Sequence, residues 1–470
     1  MNPETIGKRT FAENFTRFFD KWTPNTLVIA FMLTAIVGIL ALILTDTPFV
    51  TFQAGQPSLV EAWGRGFWSL LELSIQFALI LITGSLIASS PPVRKFLFKV
   101  AMLPNSMFQA VLLIMAIVPL FNWFHFGLGI MLGIHLGRMI IYAASKKGYK
   151  LHHPLFVGIA YGCGITGIGI SQIAPLFGAS PGALRSLFRE NPEVMYMMPE
   201  MVPLSESVFL PANIILCILA LFIVFGAMYS MRPKKESDYE TPPEALVTEM
   251  EGLIKAAMEK TPTTTPAAKI DNSIILNMII GTFGLIWIIR FFAVDGRLTF
   301  NNFNMITLII GLLLCGSPSR FIKGVQNAIG STWGIIIQFP FYAGIFGLLT
   351  YTGLNEVIVR FFMGFATPQN WPFIAYFYTS LLNVAVPAGA PKFFIVAPYV
   401  LEVAAHLDVP MGTMLIAYVA GDISLNGILP FWALPYLFMF KLEFKKILPY
   451  CLVGTIAAYI LFSTFLLFVF

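Results

Sequence analysis

Apolar residues gather in runs of about twenty, the length an α-helix needs to cross the hydrocarbon core of a bilayer, and polar residues collect between them. Such runs fall near residues 25–45, 67–88, 154–178, 207–230, 272–293, 303–316, 328–351, 412–438 and 447–470. Two longer stretches, 106–143 and 371–405, are interrupted near the middle by polar, Gly or Pro residues. Each is read as a re-entrant hairpin that enters and leaves by one face. The pattern predicts an all-α polytopic membrane protein with about nine crossings and two re-entrant hairpins.

Composition agrees. Of 470 residues, 57% are hydrophobic and 11% charged, against roughly 45–50% and 25% in soluble domains, which excludes a water-soluble multidomain enzyme. The net charge of +5 comes without a long basic block, so it points to membrane topology rather than to nucleic acid. With the N-terminus inside, 21 of the 29 Lys and Arg fall in cytoplasmic segments, six in outer ones, and two, Arg138 and Lys392, inside the membrane. This bias and the odd number of crossings place the N-terminus in the cytoplasm and the C-terminus on the outer side. Arg138 lies towards the cytoplasmic lysines, where it can snorkel.

The first 23 residues are polar, and the apolar run after them is too long for a signal-peptide core. Phe11, Phe15, Phe18, Phe19 and Trp22 recur at helical spacing beside Lys8, Arg9, Arg17 and Lys21. This describes either a helix lying in the cytoplasmic interface or a simple basic leader. Cys163, Cys217, Cys315 and Cys451 sit in apolar stretches without Cys-x-x-Cys spacing, as packing residues do.

Residues 231–270, including the biased run Thr261 to Ala268, are too polar to build a core and form a cytoplasmic linker. It separates an N-terminal half, 1–230, from a C-terminal half, 271–470. The halves are related: Gln76-Phe77 returns as Gln338-Phe339, Asn122 as Asn383, and Ile159-Ala160-Tyr161 as Ile416-Ala417-Tyr418, at offsets of 262, 261 and 257. The first half makes four crossings and a hairpin, and an extra helix at 272–293 adds a fifth crossing. The second repeat, with its hairpin at 371–405 and broken helix at 412–438, must then be inverted.

The breaks carry the candidate chemistry. The first hairpin tip reads Asn122, Trp123, Phe124, His125, Phe126, Gly127, and the second runs from Asn383 through Pro387 and Gly389 to Lys392. Unwound backbone offers carbonyls to a cation, and the following helix start offers N–H groups to an anion. Two further glycine-rich breaks, Gly162, Gly164, Gly167 to Ser171 and Gly421, Asp422, Ser424, Asn426, each follow an Ala-Tyr pair. They are expected to be unwound helices facing substrate or ion, with close helix packing as the alternative. A charge in a membrane segment costs about 2.5–3.5 kcal/mol, so Lys392 and Asp422 need partners. Lys392 would hold a substrate carboxylate and Asp422 a coupling Na⁺ or H⁺, or the two would pair with each other. A Na⁺ site near Asn122 and Asn383 is a further expectation.

Other motifs carry less. Gly162, Gly164 and Gly167 match a dinucleotide-binding pattern, but no strand precedes them and they lie in a membrane span. Gly129, Gly133 and Gly137 recur every fourth position, as in helix packing. The five histidines show no metal-ligand pattern, no His-Glu-x-x-His motif or nucleophile–base pair is present, and no resident cofactor is expected.

At Ser331 to Ile345, Leu382 to Pro387 and Pro430 to Pro435, and at Asn122-Trp123 with Phe126 to Leu128, the sequence resembles the bacterial short-chain fatty acid transporter family, part of the wider ion-transporter superfamily of inverted-repeat carriers. The resemblance runs nearly end to end. It implies an inner-membrane carrier of short monocarboxylates such as butyrate or acetoacetate, coupled to H⁺ or Na⁺, dimeric and elevator-like. The chain departs from the family where Gly389-Ala390-Pro391-Lys392 replaces Gly-Gly-Gly-His and where Asp422 closes a Tyr-x-x-x-Asp in place of Tyr-Gly-Glu. A carrier of dicarboxylates or other small metabolites and an anion channel are the alternatives.

Overall fold

The computed structural model describes residues 21–470 apart from 22, 23, 25, 53–57, 163, 165, 259–264 and 331. The expected N-terminal interfacial helix and Cys163 lie outside the described residues. Among those described, regular structure is entirely helical. Eight helices are long and apolar enough to cross a membrane, or nine if the bent pair Ile335–Tyr351 and Leu354–Met363 is one span; these include both arms of the first interrupted stretch, while the expected crossing at 303–316 is a shorter apolar helix and that at 154–178 is broken.

Both interrupted stretches are helical hairpins. In the first, Met107–Phe124 and Phe126–Lys147 meet at His125, whose extended backbone (φ −154°, ψ 98°) turns the chain while its Nδ1 accepts the Leu128 N–H at 3.2 Å. The open end is closed by Lys147 Nζ, which donates to Pro104 O at 3.1 Å and Asn105 Oδ1 at 2.8 Å. The return arm thus ends beside the start of the outgoing arm. In the second, Trp371–Ala385 and Gly389–His406 are tied at their open end by Trp371 Nε1 donating to Val400 O at 3.0 Å.

Two further apolar stretches are interrupted. His153–Gly162 is separated by an irregular stretch from Ile173–Gly178, and Met411–Ser424 passes through a single turn, Asn426–Ile428, into Pro430–Phe440. Element order recurs across the halves. Span Leu71–Ser89, short helix Pro91–Ala101, hairpin, broken span and span Pro211–Ser230 are followed, after the linker, by Trp333–Tyr351, Leu354–Met363, hairpin, broken span and Phe444–Phe468.

Burial sorts these elements. In Phe126–Lys147 and Met411–Ile428 the buried share reaches 72%, but it is 17% in Pro266–Val294 and 22% in Leu27–Leu44. The return arm of the first hairpin and the second broken span therefore lie at the centre, while the outgoing arm Met107–Phe124, 33% buried, and the apolar peripheral helices are left to face lipid. Where the largely buried span Trp333–Tyr351 crosses the short helix Leu59–Phe67, a Cβ on Gly66 would lie 2.6 Å from Gly347 Cα, so the backbones touch.

Two features depart from expectation. Four short amphipathic helices, Leu59–Phe67, Pro91–Ala101, Pro318–Ile329 and Leu354–Met363, lie between the spans. The linker is also more than a polar tether: Glu244–Met258 is a helix with Leu246 and Met250 buried. Arg138, expected to snorkel into water, is only 7% exposed and donates to Glu249 of that helix at 2.9 Å. Spaced four apart, Leu246 and Met250 form a narrow apolar stripe that average composition hides.

Candidate functional site

Both tips and both breaks converge on one cavity of about 660 Å³. Asn122 and Gly129 line it from the first hairpin, Pro387 and Gly389 from the second, Gly164 and Gln172 from the first break, and Asp422 and Asn426 from the second. Phe77, Gln338 and Phe339 close it from the spans Leu71–Ser89 and Trp333–Tyr351. It reaches Pro24 and Ile29 at one end of the molecule. A second cavity, about 810 Å³, lies at the other end and is lined by Glu72, Gln76, Thr350 and Tyr351. Gln76 and Phe77 are neighbours that face different cavities, and along Trp333–Tyr351 the first cavity meets Ile335 while the second meets Tyr351.

Each tip is fastened to the break of its own half. In the first, the Ile170 N–H donates to Trp123 O at 2.8 Å and the Phe126 N–H to Ser171 Oγ at 2.8 Å. This approach needs Gly169, since a Cβ there would collide with the Trp123 carbonyl. The unwound segment is held from within by Gln172, which accepts the Gly169 N–H at 2.7 Å and donates to Gly167 O at 3.1 Å. In the second, Asn383 Nδ2 donates to Asn426 Oδ1 at 2.8 Å, Tyr418 OH to Gly389 O at 2.6 Å, and Trp432 Nε1 to Pro387 O at 2.9 Å.

Two tyrosines join the halves. The Tyr161 hydroxyl contacts the Asn426 carbonyl and lies 3.1 Å from Leu429 O, and Tyr436 OH donates to Ile130 O at 3.2 Å. Asn122 and Asn383 thus stand on either side of one cavity, but in different roles. Asn122, 5% exposed, lines the space and its amide has no hydrogen-bond partner among the described residues. Asn383 is fully buried behind the lining.

The Lys392 ammonium is also fully buried, 2.8 Å from Asp422 Oδ1 and 2.6 Å from Asn383 Oδ1. Asp422 reaches the cavity and Lys392 does not. Among the described lining residues Asp422 is the single formal charge, and the ammonium behind it neutralises it. Burying a charge is costly unless it is paired and hydrogen-bonded; here one ammonium is hydrogen-bonded to the tip amide and ion-paired with the break carboxylate.

Of the residues singled out in the sequence, Asn122, Pro387, Gly389, Gly164, Asp422 and Asn426 line the cavity. Trp123 contributes its carbonyl, while its ring packs on Phe124 and Phe209 at 5.0 and 5.3 Å. Gly127 lies against Leu71–Ser89, Gly162 against Met228, and Gly167 against the Trp123 ring. Ser171 and Ser424 are buried, Ser424 with Tyr376 and the Ala420 carbonyl as partners. Sequence reasoning missed Gln172, Tyr161, Trp432 and Tyr436 as site residues, although Tyr161 belongs to a recurring triplet. No group of three metal-ligating side chains occurs among the described residues.

Comparison with known proteins places this architecture. A family profile described as "Short chain fatty acid transporter" matches residues 8–469. The chain is 32% identical over 453 residues to a protein of Escherichia coli (strain K12) named for short-chain fatty acid transport, covering 95% of this chain and 96% of that one. A protein of Haemophilus influenzae with the same name is 33% identical over 453 residues, covering 94% and 95%. Among solved structures, the Alcanivorax borkumensis YdaH transporter, described as having an unusual topology, aligns with a TM-score of 0.54 at 15% identity, covering 94% of this chain and 98% of that one. That likeness speaks for the fold.

Proposed function

The chain belongs to the short-chain fatty acid transporter family and is a multi-span membrane transporter, not an enzyme; from that premise we propose that it is a secondary active carrier moving short monocarboxylates across the bacterial inner membrane. The observation that carries the proposal is the cavity between the two hairpin tips and the two breaks, with a second cavity at the opposite end of the same span. Irregular backbone inside a bilayer is tolerated where it lines a watery space, and a space bounded by such backbone is suited to a small polar solute.

In this reading the carboxylate is held by the Asn122 amide and by the helix start at Gly389, where free N–H groups and the helix dipole favour negative charge. The methylenes rest on Phe77, Phe126 and Phe339, at about 0.8 kcal/mol for each one buried. Lys392 acts through Asp422, keeping the second break and tip in place. Because Lys392 and Asp422 cancel, a carboxylate brings uncompensated charge into the site, which argues for a companion H⁺ or Na⁺ taken up near Asp422, Asn426 and the two tip asparagines. A dicarboxylate would bring two charges to a lining with no cationic side chain among its described residues and fits less well.

The transport step we propose is elevator-like. The hairpins, re-entrant and inverted between the halves, would move with the broken spans against the peripheral helices, in a homodimer with the N-terminus cytoplasmic and the C-terminus periplasmic. The test is uptake of labelled butyrate by purified protein in liposomes under imposed proton or sodium gradients, with dicarboxylates as competitors. Accumulation against the butyrate gradient supports a coupled carrier. Equilibration that no ion gradient alters would indicate an anion channel.

A further inference from the structure

Between the main cavity and the linker, the first hairpin's return arm and the last helix of the second broken span are zipped together. Gly133 and Gly137 make the seam possible: a Cβ on Gly133 would collide with the Tyr436 hydroxyl, and one on Gly137 would lie 2.8 Å from Phe440 Cζ. Tyr436 also donates to Ile130 on the arm at 3.2 Å. The seam ends in charge. Arg138, on the arm, donates to Glu249 Oε2 at 2.9 Å, and Glu249 Oε1 pairs with Lys441, which caps Pro430–Phe440.

Glu249 belongs to the linker helix Glu244–Met258, so one carboxylate of the linker holds an arm from the first half and a helix from the second. The linker is anchored around it. Lys146 pairs with Glu251 at 2.6 Å, Lys446 with Glu240 at 2.9 Å, and the His153 N–H donates to Glu240 O at 2.8 Å. None of these groups lines the cavity. From Met258 the chain reaches Pro266 within eight residues and then enters the peripheral span Ile274–Val294. The linker helix is therefore bound to the molecular centre at one end and continuous with the periphery at the other.

We propose that the linker helix is a latch: Glu249, held by the first hairpin's return arm and the second broken span together, ties the linker and through it the peripheral span Ile274–Val294 to the moving centre, and each transport cycle requires its release. Arg138 is buried, but Glu249 and Lys441 are 45% and 41% exposed, and an ion pair at such a face is weak and screened by salt, which suits a contact that opens repeatedly. The hydrogen bond from Lys441, reinforced by Arg138, holds the Glu249 carboxyl below the usual carboxylate range. The latch then responds to ionic strength rather than to proton concentration near neutrality.

The experiment uses the full chain in liposomes, following exchange of labelled butyrate. Glu249→Gln should raise the maximal exchange rate severalfold at unchanged KM and abolish its dependence on internal salt. Glu249→Arg should do the same, and combining it with Arg138→Glu and Lys441→Glu should restore the wild-type rate, which also shows that the altered protein folds. In a background with the native cysteines replaced by alanine, a reducible bifunctional thiol reagent joining Arg138→Cys to Glu249→Cys should stop exchange until a reductant is added. Undiminished exchange in the joined protein, or an unaltered rate and salt response in Glu249→Gln, would overturn the latch.

Discussion

Lys392 Nζ stands 2.8 Å from Asp422 Oδ1, with Asn383 Oδ1 2.6 Å away on its other side. One ammonium thereby fastens the second hairpin's return arm, its tip and the second break, and leaves the cavity with a charge pair rather than a free cation. The relation between these two residues decides how an anion can be accommodated.

Removing either partner should strand the other in a buried setting, at a cost of about 3–5 kcal/mol. Lys392→Met and Asp422→Leu should each lower the melting temperature in detergent, and the double variant should recover most of the loss. Uptake should not recover with it, because Asp422 faces the cavity. If the double variant transports at the wild-type rate, neither residue takes part in binding and the pair is structural.

Asn122 separates binding from stability in the opposite way. The residue is 5% exposed and lines the cavity, with no protein partner for its amide among the described residues, and a hydrogen bond to a charged ligand is worth about 1.5–3 kcal/mol. Asn122→Leu should raise the half-saturation concentration for butyrate by roughly 10- to 150-fold with little change in melting temperature. Asn383→Leu should lower the melting temperature as well, since it removes a partner from both Lys392 and Asn426. Equal loss of stability in both variants would place Asn122 among the packing residues.

The tip and break residues were legible in the sequence because each interrupts an apolar run, and a polar or glycine-rich interruption at membrane depth has few uses. The choice between substrate and Asp422 as partner of Lys392 was not legible, because sequence separation carries no information about which side of a helix meets which neighbour. Tyr161, Trp432 and Tyr436 were missed for another reason: within an apolar run, an aromatic residue with a polar tip looks the same whether it anchors at the interface or spans two halves. The short helices escaped because Pro91–Ala101 and its counterparts are too short for a membrane-length window. Leu246 and Met250 were lost in the polar average of the linker.

Two glycines in the first break should respond differently to the same added methyl group. At Gly169 a Cβ would meet the Trp123 carbonyl, a backbone atom that cannot turn aside; at Gly164, which lines the cavity, it would meet nothing within 4 Å. Gly169→Ala should therefore disrupt the first tip and reduce the amount of folded protein. Gly164→Ala and Gly164→Val should fold normally and progressively reject longer acyl chains, so the ratio of hexanoate to acetate uptake should fall from wild type to Ala to Val. An unchanged ratio in Gly164→Val would mean that the acyl chain lies elsewhere.

His152 provides a pH dependence outside the membrane. Its Nδ1 accepts the Glu240 N–H at 3.0 Å, its Nε2 lies 2.7 Å from the Tyr450 hydroxyl, and the Tyr239 ring covers it at 5.6 Å. Burial is the largest influence and lowers its pKa from the ordinary value of about 6.5; Lys446 acts in the same direction and Glu240 against it. An accepting Nδ1 belongs to the neutral ring, so folding selects the uncharged form. A histidine with a depressed folded-state pKa contributes its stabilisation fully above the unfolded value and loses it as pH falls through the folded one. Acidification below about pH 6.5 should then loosen residues 231–240. Trypsin cleavage at Lys234 and Lys235, normalised to an unstructured peptide at each pH, should accelerate as pH is lowered. His152→Asn keeps an acceptor near Nδ1 but cannot titrate, and should flatten that response. If cleavage of His152→Asn still accelerates in acid, the responsible group is one of its neighbours, Glu240 or His153, and the anchor does not depend on His152.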